Sequence, residues 1–171
     1  MSEKTDIEWA TAEAFISLYN AEHATTYLAQ ASEAPDMHCI DQKGNQLNLE
    51  ITMTEDRPGD IKALLGRSED RGLEALKRHL AKVKEGKADP FDWGSCLSGN
   101  VLEMVVQRIR KKLTKRYGPK TALVVRDTSS VDWDWKLLLD AIKDRLKSVH
   151  NPFDMGIWIL SSAKNRIFRV V

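Results

Sequence analysis

Cysteine is scarce, with Cys39 and Cys96 the only two among 171 residues. Two thiols are too few for a disulfide framework or a thiol-rich zinc site, and Cys39, inside an expected strand, reads as a buried free thiol. Long apolar runs are missing too. No stretch approaches the roughly 20 residues that cross a bilayer, so no membrane segment is expected. The opening Met1-Ser2-Glu3-Lys4-Thr5-Asp6 has neither the basic start nor the apolar stretch of a secretion signal, which makes the cytoplasm the expected location. A Gly-rich phosphate loop, a Ser-His-Asp ordering, a dinucleotide fingerprint, internal repeats and low-complexity tracts are all absent.

What is present suits one globular domain over residues 1–171, because domains commonly run ~100 to 200 residues and a chain of this size buries about 70% of its unfolded surface. Hydrophobic residues make up 42% and charged residues 30%. The net charge of +1 conceals an asymmetry. Residues 1–60 hold 12 acids against 3 Lys or Arg, a net −9, whereas residues 61–120 hold 15 basic against 7 acidic residues, a net +8. Two readings of this stand side by side. Carboxylates that bind a cation beside basic elements that bind phosphate would produce it, and so would an acidic surface neutralised by a basic one within the same chain.

Periodicity organises the chain. Thr5 or Asp6 caps a first helix running to about Glu22, with Ile7, Ala10, Ala14, Phe15, Leu18 and Tyr19 as its apolar stripe. A strand is expected over Thr25 to Ala31, and two more follow before Pro58-Gly59 breaks the pattern. A helical and loop insertion is expected at about 55–98: a charged helical segment from Asp60 to Lys87, then a loop from Glu85 to Asn100 punctuated by Gly86, Pro90, Gly94 and Gly99. From Val101 to Tyr117, Leu102, Val105, Val106, Ile109 and Leu113 keep helical spacing, and Gly118-Pro119 ends the helix. Ala122-Leu123-Val124-Val125 suits a buried central strand. A helix over Asp132 to Val149 and strands over Met155 to Ser161 and Arg166 to Val170 complete an α/β order of α-β-β-β-α-β, then α-β-β. One ring of the Trp133 and Trp135 pair, and the ring of Trp158, are expected to pack on the core.

The most informative stretch lies between Pro35 and Thr54. Asp36-Met37-His38-Cys39-Ile40-Asp41 and Gln46-Leu47-Asn48-Leu49-Glu50-Ile51-Thr52-Met53 flank a Gly44-Asn45 turn, the signature of a hairpin. Strand side chains alternate, so Asn48, Glu50, Thr52 and Thr54 share one face, Asp36 and His38 share a face on the first strand, and Asp36 and Glu50 can converge. Two carboxylates so placed can hold a divalent metal. His38, as a lone histidine, is read as a hydrogen-bonded structural residue before a ligand.

Pro35-Asp36 followed by Glu50-Ile51-Thr52, within that element order, resembles the PD-(D/E)XK nuclease superfamily. The resemblance spans roughly Glu13 to Arg126 and departs from the family at Thr52, where lysine is usual. It implies a restriction-endonuclease-like core: a central mixed sheet flanked by helices. It also implies Mg2+ or Mn2+ bound by Asp36, Glu50 and the main-chain carbonyl of Ile51. Glu13, or alternatively Glu22, stands where some branches carry a metal-linked glutamate on the first helix, and Gln107 where several place a glutamine beside the metal.

Phosphodiester hydrolysis needs a nucleophilic water, charge stabilisation at the phosphoryl oxygens and a proton for the leaving oxygen. Thr52 can position a water but carries no charge. Lys111 is the first candidate to replace the missing lysine, with Arg110 and Lys43 behind it. Lys77, Arg78, Lys82, Arg108, Lys111, Lys112 and Lys115 are candidate phosphate contacts that would position a duplex without reading its sequence. The expectation is a metal-dependent nuclease acting on nucleic acid, DNA foremost. The alternatives are a catalytically impaired module of the same fold that binds nucleic acid or protein, and an interaction protein, as a homodimer, whose acidic and basic surfaces pair.

Overall fold

A computed structural model describes residues 3–54, 85, 93–127 and 133–171. Among these, nine elements follow in the expected α-β-β-β-α-β, α-β-β order: α1 Glu3–His23, β1 Leu28–Ala31, β2 Met37–Ile40, β3 Gln46–Met53, α2 Trp93–Leu113, β4 Thr121–Asp127, α3 Trp135–Leu146, β5 Ile157–Ser161 and β6 Arg166–Arg169. The strands form one mixed sheet in sequence order. β1, β2 and β3 pair antiparallel, β3, β4 and β5 pair parallel, and β6 returns antiparallel on β5. The α/β class with a six-stranded sheet flanked by helices is therefore as expected.

Alternation divides the sheet into two faces. Met37, Cys39, Leu47, Leu49, Ile51, Ala122, Val124, Trp158 and Leu160 pack beneath Ala12, Phe15, Ile16 and Tyr19 of α1. Leu123, Val125, Ile157 and Ile159 face the other way, against Val105, Val106 and Ile109 of α2 and Trp135, Leu138 and Ile142 of α3. Trp158 is buried as expected, and both Trp133 and Trp135 are buried where one ring of that pair was expected on the core. Helix α3 buries Trp135, Leu138, Ile142 and Leu146, a stripe with i, i+3, i+4 spacing. Arg145 ties it to α2 by an ion pair with Glu103, Nη1 to Oε2 at 2.9 Å, and Arg110 donates to the Arg145 carbonyl at 3.0 Å.

Local hydrogen bonds set where elements begin. β1 starts at Leu28 rather than Thr25, because Asn20 fastens the connection to the end of α1: its Oδ1 accepts from Thr25 Oγ1 at 2.8 Å and from Tyr27 N at 2.9 Å. Asp134 caps α3 by accepting from the amides of Lys136 and Leu137, which starts that helix at Trp135 rather than near Asp132. At the β2–β3 turn Asp41 accepts from the amides of Lys43 and Asn45, both at 2.8 Å, and Gly44 takes φ +80°.

Two further expectations are corrected: α1 begins at Glu3, so Thr5 and Asp6 lie within it rather than capping it, and the segment before α2 differs. Glu85 to Asn100 was expected as a loop, yet α2 is already helical from Trp93. Glycine costs a helix interior about 1 kcal/mol relative to alanine, too little for Gly94 and Gly99 to stop a helix anchored by Val105, Val106 and Ile109. Pro90 lies ahead of the first helical residue. The rest of the expected insertion, 55–84 and 86–92, lies outside the described residues.

Candidate metal and phosphate site

Strand β3 outruns β2, and that overhang builds the site. The last β2–β3 partners are Met37 and Leu49, so one further step of the register sets Asp36 opposite Glu50. The amides of even-numbered β3 residues face β4, as the bonds Asn48 N to Lys120 O at 2.8 Å and Thr54 N to Arg126 O at 3.1 Å show. Those of odd-numbered residues face β2. At Ile51 β2 has ended, and the residue across is Pro35, which has no N–H to donate to the Ile51 carbonyl. The Ile51 amide instead donates to the Asp36 side chain, Oδ2 accepting at 2.7 Å. The Ile51 carbonyl projects from the same edge, since both polar groups of a strand residue point to one neighbour.

Glu50 alternates to the face covered by α2, where Lys112 meets it with Nζ 2.6 Å from Oε1. Only 12% of the Glu50 side chain and 18% of the Lys112 side chain are exposed, so this pair is largely withdrawn from water. Lys112 belongs to the buried side of α2, three residues after Ile109 and seven after Val105. A long side chain there runs its alkyl stem over the core and delivers its ammonium at the margin of the sheet.

Tyr117 lies just beyond α2. Its ring lies against Phe153 with centroids 4.4 Å apart. Its hydroxyl is buried and has no hydrogen-bond partner among the described residues. Burial, followed by the negative charges of Glu50 and Asp36, pushes its pKa up to about 12, so the group remains a neutral donor.

The other expected residues are placed apart from this cluster. Thr52 lies half-buried two residues beyond Glu50, on the same face. Lys111 is exposed one position from Lys112, its carbonyl accepting from Thr114 Oγ1 at 3.0 Å. Gln107 is exposed and donates to Glu103 at 3.3 Å. Glu13 and Glu22 are exposed on α1, which covers the face of the sheet opposite to Glu50. His38 takes the structural role: its Nδ1 lies 2.6 Å from Oδ1 of its cross-strand partner Asn48, which also donates to the Pro119 carbonyl at 3.1 Å. Arg110 is engaged with α3, and Lys43 lies at the far turn of the hairpin. Arg108 is half-buried and Lys115 exposed, while Lys77, Arg78 and Lys82 lie outside the described residues.

Chemically, Asp36 and Glu50 offer a hard cation two carboxylates, with the Ile51 carbonyl as a third protein oxygen on the same edge. Hydrogen bonds from described residues engage Oδ2 of Asp36 and Oε1 of Glu50, leaving the second oxygen of each carboxylate for a cation that keeps several of its waters. Among the described residues, no group of three or more His, Cys, Asp and Glu comes together, so a site here rests on two acids.

Sequence reasoning named Lys112 as a phosphate contact but not as the partner of Glu50, and it did not name Tyr117. For Lys112 a signal existed: a lysine on the apolar stripe of a helix requires a partner. Tyr117 carries no comparable signal, because nothing in Arg116-Tyr117-Gly118-Pro119 points to a carboxylate. No family model, no curated protein and no solved structure matches this chain.

Proposed function

We propose that the chain is a metal-dependent nuclease-like protein that hydrolyses phosphodiester bonds in nucleic acid, DNA foremost, on a restriction-endonuclease-like PD-(D/E)XK core. The observation that carries this reading is the 2.6 Å contact of Lys112 with Glu50. It brings to the acidic pair the positive charge that Thr52 withholds, from a neighbouring helix instead of from the strand itself. The α-β-β-β-α-β order and the placing of Asp36 and Glu50 across the β2–β3 overhang support it further.

In this reading Asp36 and Glu50 hold Mg2+ or Mn2+, with Ile51 O beside them. Such a cation would polarise a phosphoryl oxygen and lower the pKa of a bound water. Lys112 stabilises negative charge as it develops on the phosphoryl group, a task in which a preorganised cation at low dielectric is most effective. Thr52 positions water through its hydroxyl. Arg108, Lys111 and Lys115 on or just beyond α2, with Lys77, Arg78 and Lys82, contact phosphates and orient the duplex without reading sequence.

The test is cleavage of DNA and RNA by purified protein in Mg2+ or Mn2+, with D36A, E50A and K112M alongside. Loss of cleavage in all three is expected. Turnover that survives D36A and E50A would remove the site. The two-acid ligand set, with its lysine already paired to Glu50, favours a second reading: a module of this fold that binds nucleic acid or protein without cutting, for which salt-sensitive binding with no cleavage is the expected result.

A further inference from the structure

Resting on the nucleic-acid reading above, we propose that Lys120 is a phosphate contact of the same site, holding the DNA backbone a few nucleotides from the phosphate that Asp36, Glu50 and Lys112 would engage. Its backbone is the first observation. Lys120 takes φ +56°, a left-handed conformation that is uncommon for residues other than glycine and asparagine. The surroundings over-determine it. Asp154 accepts from the Lys120 amide on Oδ2 at 2.7 Å and from the Thr121 amide on Oδ1 at 2.8 Å, while the Lys120 carbonyl accepts from Asn48 N at 2.8 Å. The side chain itself is exposed and makes no ion pair or hydrogen bond among the described residues. An unfavourable backbone held in place around a side chain that the fold does not engage points to a use for that side chain.

Position and charge say what the use is. Asn48 fastens the turn to β3, because its side-chain amide donates to the Pro119 carbonyl at 3.1 Å and its main-chain amide to Lys120. Asn48 stands two residues before Glu50 on the same strand face, about 7 Å along β3. A DNA strand advances about 3.4 Å per phosphate, so one backbone can touch both Lys120 and the acidic pair. The thirteen residues from Arg108 to Lys120 include seven Lys or Arg and no Asp or Glu. Lys112 is engaged with Glu50 and Arg110 with the Arg145 carbonyl, whereas Lys115, Arg116 and Lys120 are exposed and meet no carboxylate among the described residues. Asp154, the carboxylate beside Lys120, has both oxygens engaged by backbone amides. The opposite face of the sheet is covered by α1, where Asp6, Glu13 and Glu22 are exposed. A polyanion is therefore drawn to the end of α2 and the turn that follows, and repelled from α1. The clamped turn presents its ammonium on a backbone that needs no ordering when DNA binds.

The experiment compares the wild type with K120N, which removes the charge and suits the left-handed conformation, and with K120R, which keeps the charge. Three measurements are made: the thermal midpoint, binding of a short labelled DNA duplex in EDTA across a salt series, and cleavage of that duplex in Mn2+. K120N is expected to melt at or above the wild-type midpoint, to bind roughly five- to tenfold more weakly at about 0.1 M salt, and to lose about 0.9 from the salt slope, while K120R binds within about twofold of the wild type. Wild-type affinity and slope in K120N overturn the inference, and so does a loss that K120R shares. Weaker binding by K120N together with a lower thermal midpoint assigns the side chain a structural role and also overturns it. Binding without cleavage by the wild type defeats the nuclease reading but not this inference, which the K120N binding data then decide. If the wild type does not bind the duplex at all, the nucleic-acid reading fails and this inference falls with it.

Discussion

Lys112 Nζ lies 2.6 Å from Glu50 Oε1 across 62 residues of chain, joining the end of α2 to the middle of β3. Both side chains are mostly out of water, so removing one partner strands the other. K112M is expected to destabilise by about 2–4 kcal/mol, somewhat under the loss seen for fully buried pairs, and E50Q by less, because an amide leaves a neutral group in place of the charge. The double variant E50Q/K112M is expected to recover part of the loss. Urea midpoints of the four proteins check this, and strictly additive losses would show that the contact contributes no coupling.

Asp36 has a structural duty separate from any metal. Its Oδ2 accepts the Ile51 amide at 2.7 Å, beyond the last β2–β3 partners Met37 and Leu49. D36A leaves that amide without its charged acceptor and is expected to cost about 1.5–3 kcal/mol, whereas D36N retains an acceptor oxygen and is expected to cost less than half as much. Amide hydrogen exchange at Ile51 reports the same bond directly. Faster exchange in D36A with near-normal protection in D36N is the expected result, and equal exchange in all three proteins would contradict it.

Much of this arrangement was legible in the sequence, and the limits have physical causes. The alternation in Gln46–Met53 placed Glu50 opposite the Leu47-Leu49-Ile51 face, and the turn at Gly44 set the register that brings Asp36 across from it. Both are period-two effects that survive folding unchanged. The choice between Lys111 and Lys112 was harder, because neighbouring helix positions differ by about 100° and the outcome depends on which apolar residues face the sheet. Val105 and Ile109 do, and that selects Lys112. Glu13 illustrates the converse: it sits one residue from the buried Ala12, and that single step turns it to solvent. The position of Tyr117 depends on how the Gly118-Pro119 turn leads into β4, a tertiary matter no local pattern encodes.

Gly156 is required by its surroundings. It takes φ +90°, and a Cβ there would run into the Val171 carbonyl oxygen, with Arg169 Nε at 3.3 Å. Its carbonyl accepts from Leu123 N at 3.0 Å and its amide donates to Phe153 O at 3.1 Å, so it links β4 to the residue that packs on Tyr117. G156A combines an unfavourable backbone conformation with a steric clash and is expected to cost about 2 kcal/mol or more. A thermal midpoint within error of the wild type would show that the chain end moves aside freely.

Cys39 provides a pH-dependent test of the α1-side core. The thiol is fully buried, and burial pushes its pKa up to about 12 from an ordinary value of 9.0. The folded protein thus holds this proton more tightly than the unfolded chain does. The resulting stabilisation is complete below pH 9.0 and is lost as pH rises towards about 12. In a C96S background, Cys39 is expected to resist a thiol-specific disulfide reagent at about pH 8 in native buffer and to react fully in denaturant, because the thiolate is the reactive form. C39A is expected to be less stable than its parent near neutral pH, since it opens a small cavity. The gap should narrow at about pH 10.5, where only the parent has a thiol to ionise on unfolding. A gap of constant size across that range, or rapid labelling of the native protein, would show that Cys39 is not sealed beneath α1.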